Sequence, residues 1–235
     1  MKKTILIMLM LLAIATGMAA QGERGYLGIS LGPSIPIGEF AEQDPDNESA
    51  GFADLGAMVD LSLVYRIGKG QYGVTAMVRS QLNPVDEEAL FSDVLQEPGI
   101  SFDTEGGRWG MRTALLGAFG SVAFSDKISF HARVMAGIVG VSSPNVEATV
   151  TGPAGTFIVE QSSENASAFG RLYGGGFTFN LGNKIALITN LDYFTATPEF
   201  SNVEVSINDI PFSTNQSLSQ KVVTVNFSVG LGLKF

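Results

Sequence analysis

Alternation of apolar and polar residues is the clearest pattern in the chain, and it is strongest at the C-terminal end. From Val223 to Phe235 every odd-numbered residue is apolar, whereas the even-numbered residues are Thr, Asn, Ser, Gly or Lys. A period of two places the two kinds of side chain on opposite faces of a strand, whereas helical spacing would mix them. The segment is therefore predicted to be a β-strand with one apolar and one polar face.

The pattern recurs seven times upstream, which predicts eight strands in all. The upstream segments are residues 27–37, 54–66, 72–81, 109–124, 128–138, 176–181 and 187–193. Segment 109–124 carries Ala and Gly on both faces, so we orient it by placing Arg112 on the polar face. Arg171 interrupts the alternation and is expected at a membrane rim or beside a bulge.

The connections between these strands alternate in length. Short turns lie near residues 68–70, 125–127 and 182–184, and long connections cover 38–50, 83–106, 143–166 and 197–219. An even number of strands with short turns at one end and long loops at the other is typical of outer-membrane barrels. We predict an all-β fold, an eight-stranded antiparallel up-and-down transmembrane β-barrel, with both termini periplasmic.

Aromatic residues of apolar-face parity cluster at the turn end of the predicted barrel. An aromatic girdle at the lipid–water boundary is expected there. Its predicted members are Tyr65, Tyr72, Phe130 and Phe179, together with the terminal Phe235.

The N-terminus has the pattern of a secretory signal peptide. Lys2 and Lys3 precede an apolar run over residues 5–14, and small residues follow at 16–20. Residues 1–20 are therefore predicted to be a cleaved signal peptide and 21–235 the barrel domain. No other window approaches the ~18 apolar residues of a spanning helix, so a membrane-inserted mature chain would have to be a closed barrel.

The amino-acid composition limits the reactions, metal sites and partners that the chain can have. Charged residues make up 16% of the chain, Cys is absent and His occurs once, which excludes disulfides, Cys nucleophiles and multi-His metal sites. The net charge of −9 argues against nucleic acid as a partner. Most acidic residues fall in the long loops, where a solvated surface is expected and divalent cations that bridge loop carboxylates to lipid phosphates are the alternative.

Two motifs carry a family resemblance. The segment Tyr26–Gly38 and the terminal Val229–Phe235 resemble the small outer-membrane β-barrel (porin-like) family, to which outer-membrane proteins A and X belong. The resemblance implies an assembly signal read by the barrel assembly machinery, formed by Phe227, Val229, Leu231, Leu233 and Phe235. Membrane lipid and lipopolysaccharide are further expected partners, and a monomer is expected.

Ten polar residues have inward parity and are predicted to form a lumen network. They are Asp54, Asp60, Arg66, Arg79, Arg112, His131, Arg133, Asn190, Asp192 and Lys234. An eight-stranded barrel leaves only enough interior space for side chains, so these residues are expected to fill it as ion pairs. If Tyr65 and Tyr72 pair across the first turn, Asp60 lies one diagonal from Arg79, and these two should bind each other.

These features favour a non-enzymatic outer-membrane protein with a plugged lumen and a structural or surface-interaction, adhesion-type role. A narrow porin-like channel for small solutes is the alternative. Ser129 and His131 share a face, as a Ser and a His do in some lipid A deacylases, but in the opposite order and facing the lumen, so no catalytic residue, cofactor or metal is predicted. A soluble ligand-binding barrel would instead place its apolar face inside.

Overall fold

The computed structural model describes residues 24–68, 71–90, 101–105, 107–152, 155–162, 165–201, 204–207, 210–213 and 217–235. The predicted signal peptide, and Lys69 and Gly70 of the first turn, lie outside these ranges. No helix in the described part of the chain is long and apolar enough to cross a membrane.

Strands dominate the structure, because the alternating segments are also rich in Val, Ile, Phe and Tyr, which favour a pleated surface. In chain order they are β1 (Gly25–Pro36), β2 (Gly56–Arg66), β3 (Tyr72–Pro84), β4 (Ser101–Glu105), β5 (Arg108–Ala123), β6 (Ile128–Ser142), β7 (Val146–Gly152), β8 (Gly155–Ser162), β9 (Ala166–Asn180), β10 (Ile185–Ala196), β11 (Glu199–Phe200), β12 (Glu204–Ile207), β13 (Ile210–Ser213), β14 (Leu218–Ser219) and β15 (Val222–Lys234). A 3₁₀ turn, Gly38–Ala41, follows β1, and the short helix α1 (Glu87–Leu90) follows β3.

The eight long strands form a closed barrel in the order β1-β15-β10-β9-β6-β5-β3-β2. All neighbouring strands of the barrel are antiparallel, and each follows its neighbour along the chain except at the closure. There β1 pairs with β15, with Leu27 opposite Leu233. The predicted eight-stranded up-and-down barrel is confirmed. Leu31, Leu116 and Ile138 are each more than 60% exposed on its outer face, as expected for a surface that lipid covers.

The two ends of the barrel differ. Short turns such as Ser125–Lys127 define the turn end, and the long connections define the loop end. Beyond the loop end, five short strands from three long connections form one sheet in the order β13-β12-β8-β7-β4, which we call the loop sheet. Strands β7 and β8 of this sheet form a hairpin within the third long connection.

The register of the first hairpin differs from the prediction by two residues. Tyr65 pairs with Val74 rather than with Tyr72, and Asp60 lies directly opposite Arg79. The pairing of the two strands ends at Arg66 and Gly73, and beyond it the Ile67 N–H donates to the Tyr72 carbonyl at 2.9 Å.

The predicted facing of β5 is wrong. Arg112 is exposed on the outer face, whereas Trp109, Met111, Leu115 and Phe119 point inward and are buried. The orientation assumed that a charge belongs inside, but this part of the interior is apolar, and Arg112 instead lies on the outer face near the loop end.

Candidate functional site

Four charged side chains meet in the middle of the barrel and form what we call the ion cluster. They are Asp60 of β2, Arg79 of β3, Arg133 of β6 and Asp192 of β10. Arg79 Nη2 lies 3.3 Å from Asp60 Oδ2 and 2.5 Å from Asp192 Oδ2. Arg133 donates to both oxygens of Asp192, from Nε at 3.1 Å and Nη2 at 2.7 Å. Each side chain is at most 2% exposed, and the four charges sum to zero.

The strands bring the cluster together in two ways. Asp60 and Arg79 are direct cross-strand neighbours, where opposite charges attract. Arg133 and Asp192 lie on either side of β9, and both are opposite Gly174. A Cβ atom at Gly174 would lie 2.0 Å from Asp192 Oδ1, so the missing side chain is what allows the guanidinium and the carboxylate to meet across β9.

His131 lies nearer the turn end, in a hydrogen-bonded set of its own. Its Nε2 is 2.9 Å from Asn190 Oδ1, and its Nδ1 is 3.2 Å from Thr178 Oγ1. Asn190 Nδ2 in turn donates to Ser228 Oγ. Because an amide oxygen can only accept, the contact with Asn190 Oδ1 requires a proton on His131 Nε2. The ring stacks on Phe119 at 5.6 Å between centroids. The imidazole is thus held by Asn190 and Thr178, and no hydrogen bond between described residues joins it to Ser129.

Towards the loop end the interior is apolar on the side of β5, β6, β9 and β10, a feature that the sequence did not predict. On the opposite side, Ser34 and Gln81 are buried and donate hydrogen bonds to Asn83. Trp109, Met111, Met135, Leu172 and Phe194 from the barrel wall form one buried cluster. Phe40, Phe52 and Phe200 join it from the loop end. We call this cluster the apolar plug.

The first long connection, residues 37–55, folds back over the barrel mouth as a lid. Phe40 is fully buried and contacts the Trp109 ring edge-on, with centroids 5.6 Å apart. Trp109 Nε1 donates to the Gly51 carbonyl at 2.8 Å. A Cβ at Gly51 would lie 2.6 Å from the Phe40 carbonyl oxygen, so only glycine fits there. Gln220 holds the outer part of the lid through the Ser49 carbonyl.

The turn end, in contrast, opens into a polar cavity of about 490 Å³, which we call the vestibule. Its lining includes Tyr26, Arg66, Ser121, Asn180 and Lys234. From the turn end to the loop end the interior is therefore a polar vestibule, an ion cluster, an apolar plug and a lid.

The structure brings most of the predicted lumen residues into the interior. They are Asp60, Arg66, Arg79, His131, Arg133, Asn190, Asp192 and Lys234. Two of the predictions are wrong. Arg112 faces outward, and Asp54 precedes β2, is exposed, and accepts the Leu55 N–H at 2.6 Å. Asp54 has the correct parity, but the strand that would turn it inward begins only at Gly56.

The terminal aromatic residue differs from the other predicted girdle residues. Tyr65, Tyr72, Phe130 and Phe179 have outward parity near the turn end, and Tyr72 is 73% exposed. Phe235 follows the last residue of β15 and its side chain is buried. Its backbone carbonyl accepts the Arg24 N–H at 2.7 Å. Its placement on the lipid face was wrong, because the strand alternation ends before it. Phe227, Val229, Leu231 and Leu233 are exposed on the outer face.

No group of three or more His, Asp and Glu side chains within the described ranges is arranged to hold a metal ion. The alternative of cation binding by the acidic loops stays a hypothesis.

A closed eight-stranded barrel with an apolar outer face defines the class of transmembrane β-barrels. No protein-family model matches the chain, and no curated protein matches its sequence. Among solved structures it is similar to Ail, the attachment invasion locus protein of Yersinia pestis, with 14% identity, a TM-score of 0.44, and coverage of 92% of this chain and 100% of Ail. Neisserial surface protein A is 12% identical, with a TM-score of 0.44 and coverage of 90% of this chain and 97% of its own. OprG from Pseudomonas aeruginosa is 12% identical, with a TM-score of 0.41 and coverage of 91% of this chain and 97% of its own. At these identities the likeness is one of fold alone.

Proposed function

We propose that this chain is a protein of the Gram-negative outer membrane, with its loop end outside the cell and both barrel termini in the periplasm. The exposed apolar side chains that encircle the barrel support a lipid environment, because water does not stabilise such a surface. Residues 1–20 are the export signal in this proposal, and residues 21–235 insert as a monomer with the help of the barrel assembly machinery.

The role that we propose is non-enzymatic binding at the cell surface. The loop sheet is the observation that carries it. Three long connections pair with one another instead of extending separately, and among the described strands β4 contacts only β7 while β13 contacts only β12. Edge strands offer unpaired backbone groups to an incoming chain. The loop sheet therefore suits an extended segment of a partner protein, and divalent cations would neutralise the acidic residues around it.

The interior supports this role over conduction. A solute entering from the loop end would have to displace the lid, the apolar plug and then the ion cluster. Separating the cluster would leave buried charges without partners, which is costly. The lumen in this proposal stabilises the barrel and does not transport.

The vestibule is the observation that favours the alternative, a narrow channel for small solutes. It gives polar access from the turn end to the level of Thr178. Conduction would then require only the ion cluster, the apolar plug and the lid to rearrange. Planar-bilayer recording separates the two functions. We expect no conductance steps from the wild-type protein, and steps of uniform size would contradict the plugged lumen.

Surface binding is tested with extended peptides displayed on phage, selected on the wild-type protein in detergent micelles. A variant in which a two-residue Asn-Gly turn replaces residues 146–162 removes β7 and β8 and serves for counter-selection. We expect peptides that bind the wild type only and that slow amide hydrogen exchange in β4 or β13. The same peptides N-methylated at alternate residues should not bind. Equal binding by the methylated peptides, or slowed exchange elsewhere only, would contradict strand addition.

A further inference from the structure

Two arginines on the outer face of the barrel are not explained by the interior or by the loop sheet. Arg108 and Arg112 both belong to β5, have outward parity and are exposed. Within the described part of the chain, neither of them forms an ion pair. A charge on the lipid face is unfavourable near the bilayer midplane and nearly neutral at the interface, so their height along the barrel decides what they contact.

Their height follows from the strand geometry. Arg112 lies about ten residues along β5 from Val122, an exposed apolar residue at the turn end. With a rise of about 3.4 Å per residue and a tilt of about 40°, this separation corresponds to roughly 25 Å along the barrel axis. An apolar band is about 25 Å tall, so Arg112 lies at its upper boundary, at the level of lipid headgroups, and Arg108 lies above it.

The surface between the two guanidiniums is recessed. Gly110 separates the arginines on the same face, and Gly140 is the neighbour of Arg112 on β6. Neither glycine has a side chain to fill the space, and the resulting cleft of about 580 Å³ is lined by Ser80, Arg108, Arg112, Ser142 and Asn165 among others. Two guanidiniums thus flank a recess that also has hydroxyl and amide groups.

We propose that this cleft binds a phosphorylated glycolipid of the outer leaflet. Guanidinium groups bind phosphate through paired charge-assisted hydrogen bonds, and the two serine hydroxyls and the Asn165 amide suit the hydroxyl groups of an adjoining sugar. The inference rests on the proposed orientation of the loop end, because that orientation places the cleft in the leaflet that faces outward.

Binding of purified bisphosphorylated lipid A to the detergent-solubilised full-length protein tests the cleft. The variant Arg108→Gln/Arg112→Gln should bind at least about tenfold more weakly, the ratio expected when at least one charge-assisted hydrogen bond is lost. The control Lys127→Gln/Lys184→Gln removes the same charge from exposed turn-end positions and should bind within about twofold of the wild type. Equal affinity of the wild type and the arginine variant would overturn the proposal.

A second variant tests the recess without altering charge. Gly140→Leu is tolerated by the fold, because the nearest atom to its Cβ is the Arg112 carbonyl oxygen at 3.9 Å, but its side chain fills the space beside Arg112. We expect weakened lipid A binding with unchanged secondary structure by circular dichroism. Unchanged binding would show that the recess is not the site.

Phosphatidylglycerol, which has a phosphate but no sugar, distinguishes the lipid source. We expect it to bind more weakly than lipid A and to lose less affinity in the arginine variant. An equal loss for both lipids would contradict a glycolipid site. These measurements in detergent do not depend on orientation in the cell, so a failure of the proposed topology and a failure of this site are separate outcomes.

Discussion

The charge of Asp192 is predicted to be the most important single interaction in the barrel interior. Asp192 accepts three hydrogen bonds from two arginines, whereas Asp60 accepts one, from Arg79 at 3.3 Å. Asp192→Asn keeps the side-chain volume but leaves Arg79 and Arg133 to share the charge of Asp60. The variant therefore buries one uncompensated positive charge in a site without solvent access.

The magnitude follows from the burial. Breaking a buried ion pair by removing one partner costs about 3–5 kcal/mol. Because Asp192 binds two arginines, we expect Asp192→Asn to lower the free energy of unfolding by about 5 kcal/mol. Asp60→Asn should cost about 3 kcal/mol, since Arg79 keeps its contact with Asp192.

Urea unfolding in lipid vesicles measures both variants. Trp109 is the one tryptophan of the chain and is buried in the apolar plug, so its fluorescence reports loss of the interior without an added label. Asp126→Asn, at an exposed turn position, is the control and should change stability by less than about 0.5 kcal/mol.

A double variant tests whether Asp192 and Arg133 are energetically coupled. Asp192→Asn/Arg133→Gln should recover part of the loss, because groups in contact are not additive. Strictly additive losses would refute the cluster as a coupled unit. A smaller loss for Asp192→Asn than for Asp60→Asn would refute the ranking by contacts.

Three other outcomes follow from the structure. Leu116→Arg should reduce the refolding yield in vesicles and cost about 2–4 kcal/mol, because this exposed side chain lies between the two ends of the apolar band. Gly174→Ala should destabilise the barrel in urea, since its Cβ would lie 2.0 Å from Asp192 Oδ1. An epitope inserted beside Glu88 should be labelled on intact cells, and one inserted at Asp126 should be labelled only after the outer membrane is permeabilised.

Each of these outcomes has a matched comparison. Leu116→Val keeps an apolar side chain and should refold like the wild type, so equal yields for Val and Arg would contradict an outer lipid face. Gly182→Ala, where a Cβ would meet nothing within 4 Å, should leave stability unchanged, and equal losses at both glycines would contradict a specific role for Gly174. The reverse labelling pattern would overturn the proposed topology.

The strands and their order could be predicted because alternation is a local signal, readable in each segment on its own. The facing of β5 could not, because Ala and Gly at both parities leave that signal weak. The charge of Arg112 favours one facing of the strand, whereas the large side chains Trp109, Met111 and Phe119, which share the opposite parity, favour the other. The structure follows the large side chains.

The contact partners inside the barrel were only partly predictable. The Asp60–Arg79 ion pair could be inferred because the two strands are consecutive, even though the register was two residues off. The contact of Arg79 with Asp192 crosses the barrel, and that of Arg133 with Asp192 passes over β9. In both cases the partners lie far apart along the chain, and no local pattern encodes such a contact. The lid has a weak signal in the sequence. Phe40 and Phe52 are large apolar residues in an otherwise polar and acidic connection, and a loop that is fully solvated has little use for such residues.

The ion cluster also has a mechanical consequence. Arg79 of β3 and Asp192 of β10 belong to strands that are four places apart in the closed sheet of eight, so their contact spans a diameter of the barrel. A lateral load from the bilayer tends to flatten a cylinder, which shortens one diameter and lengthens another. A distortion that moves β3 and β10 apart must stretch this contact, and low-dielectric surroundings make that separation costly. The contact between Arg79 and Asp192 therefore resists flattening of the barrel in that direction.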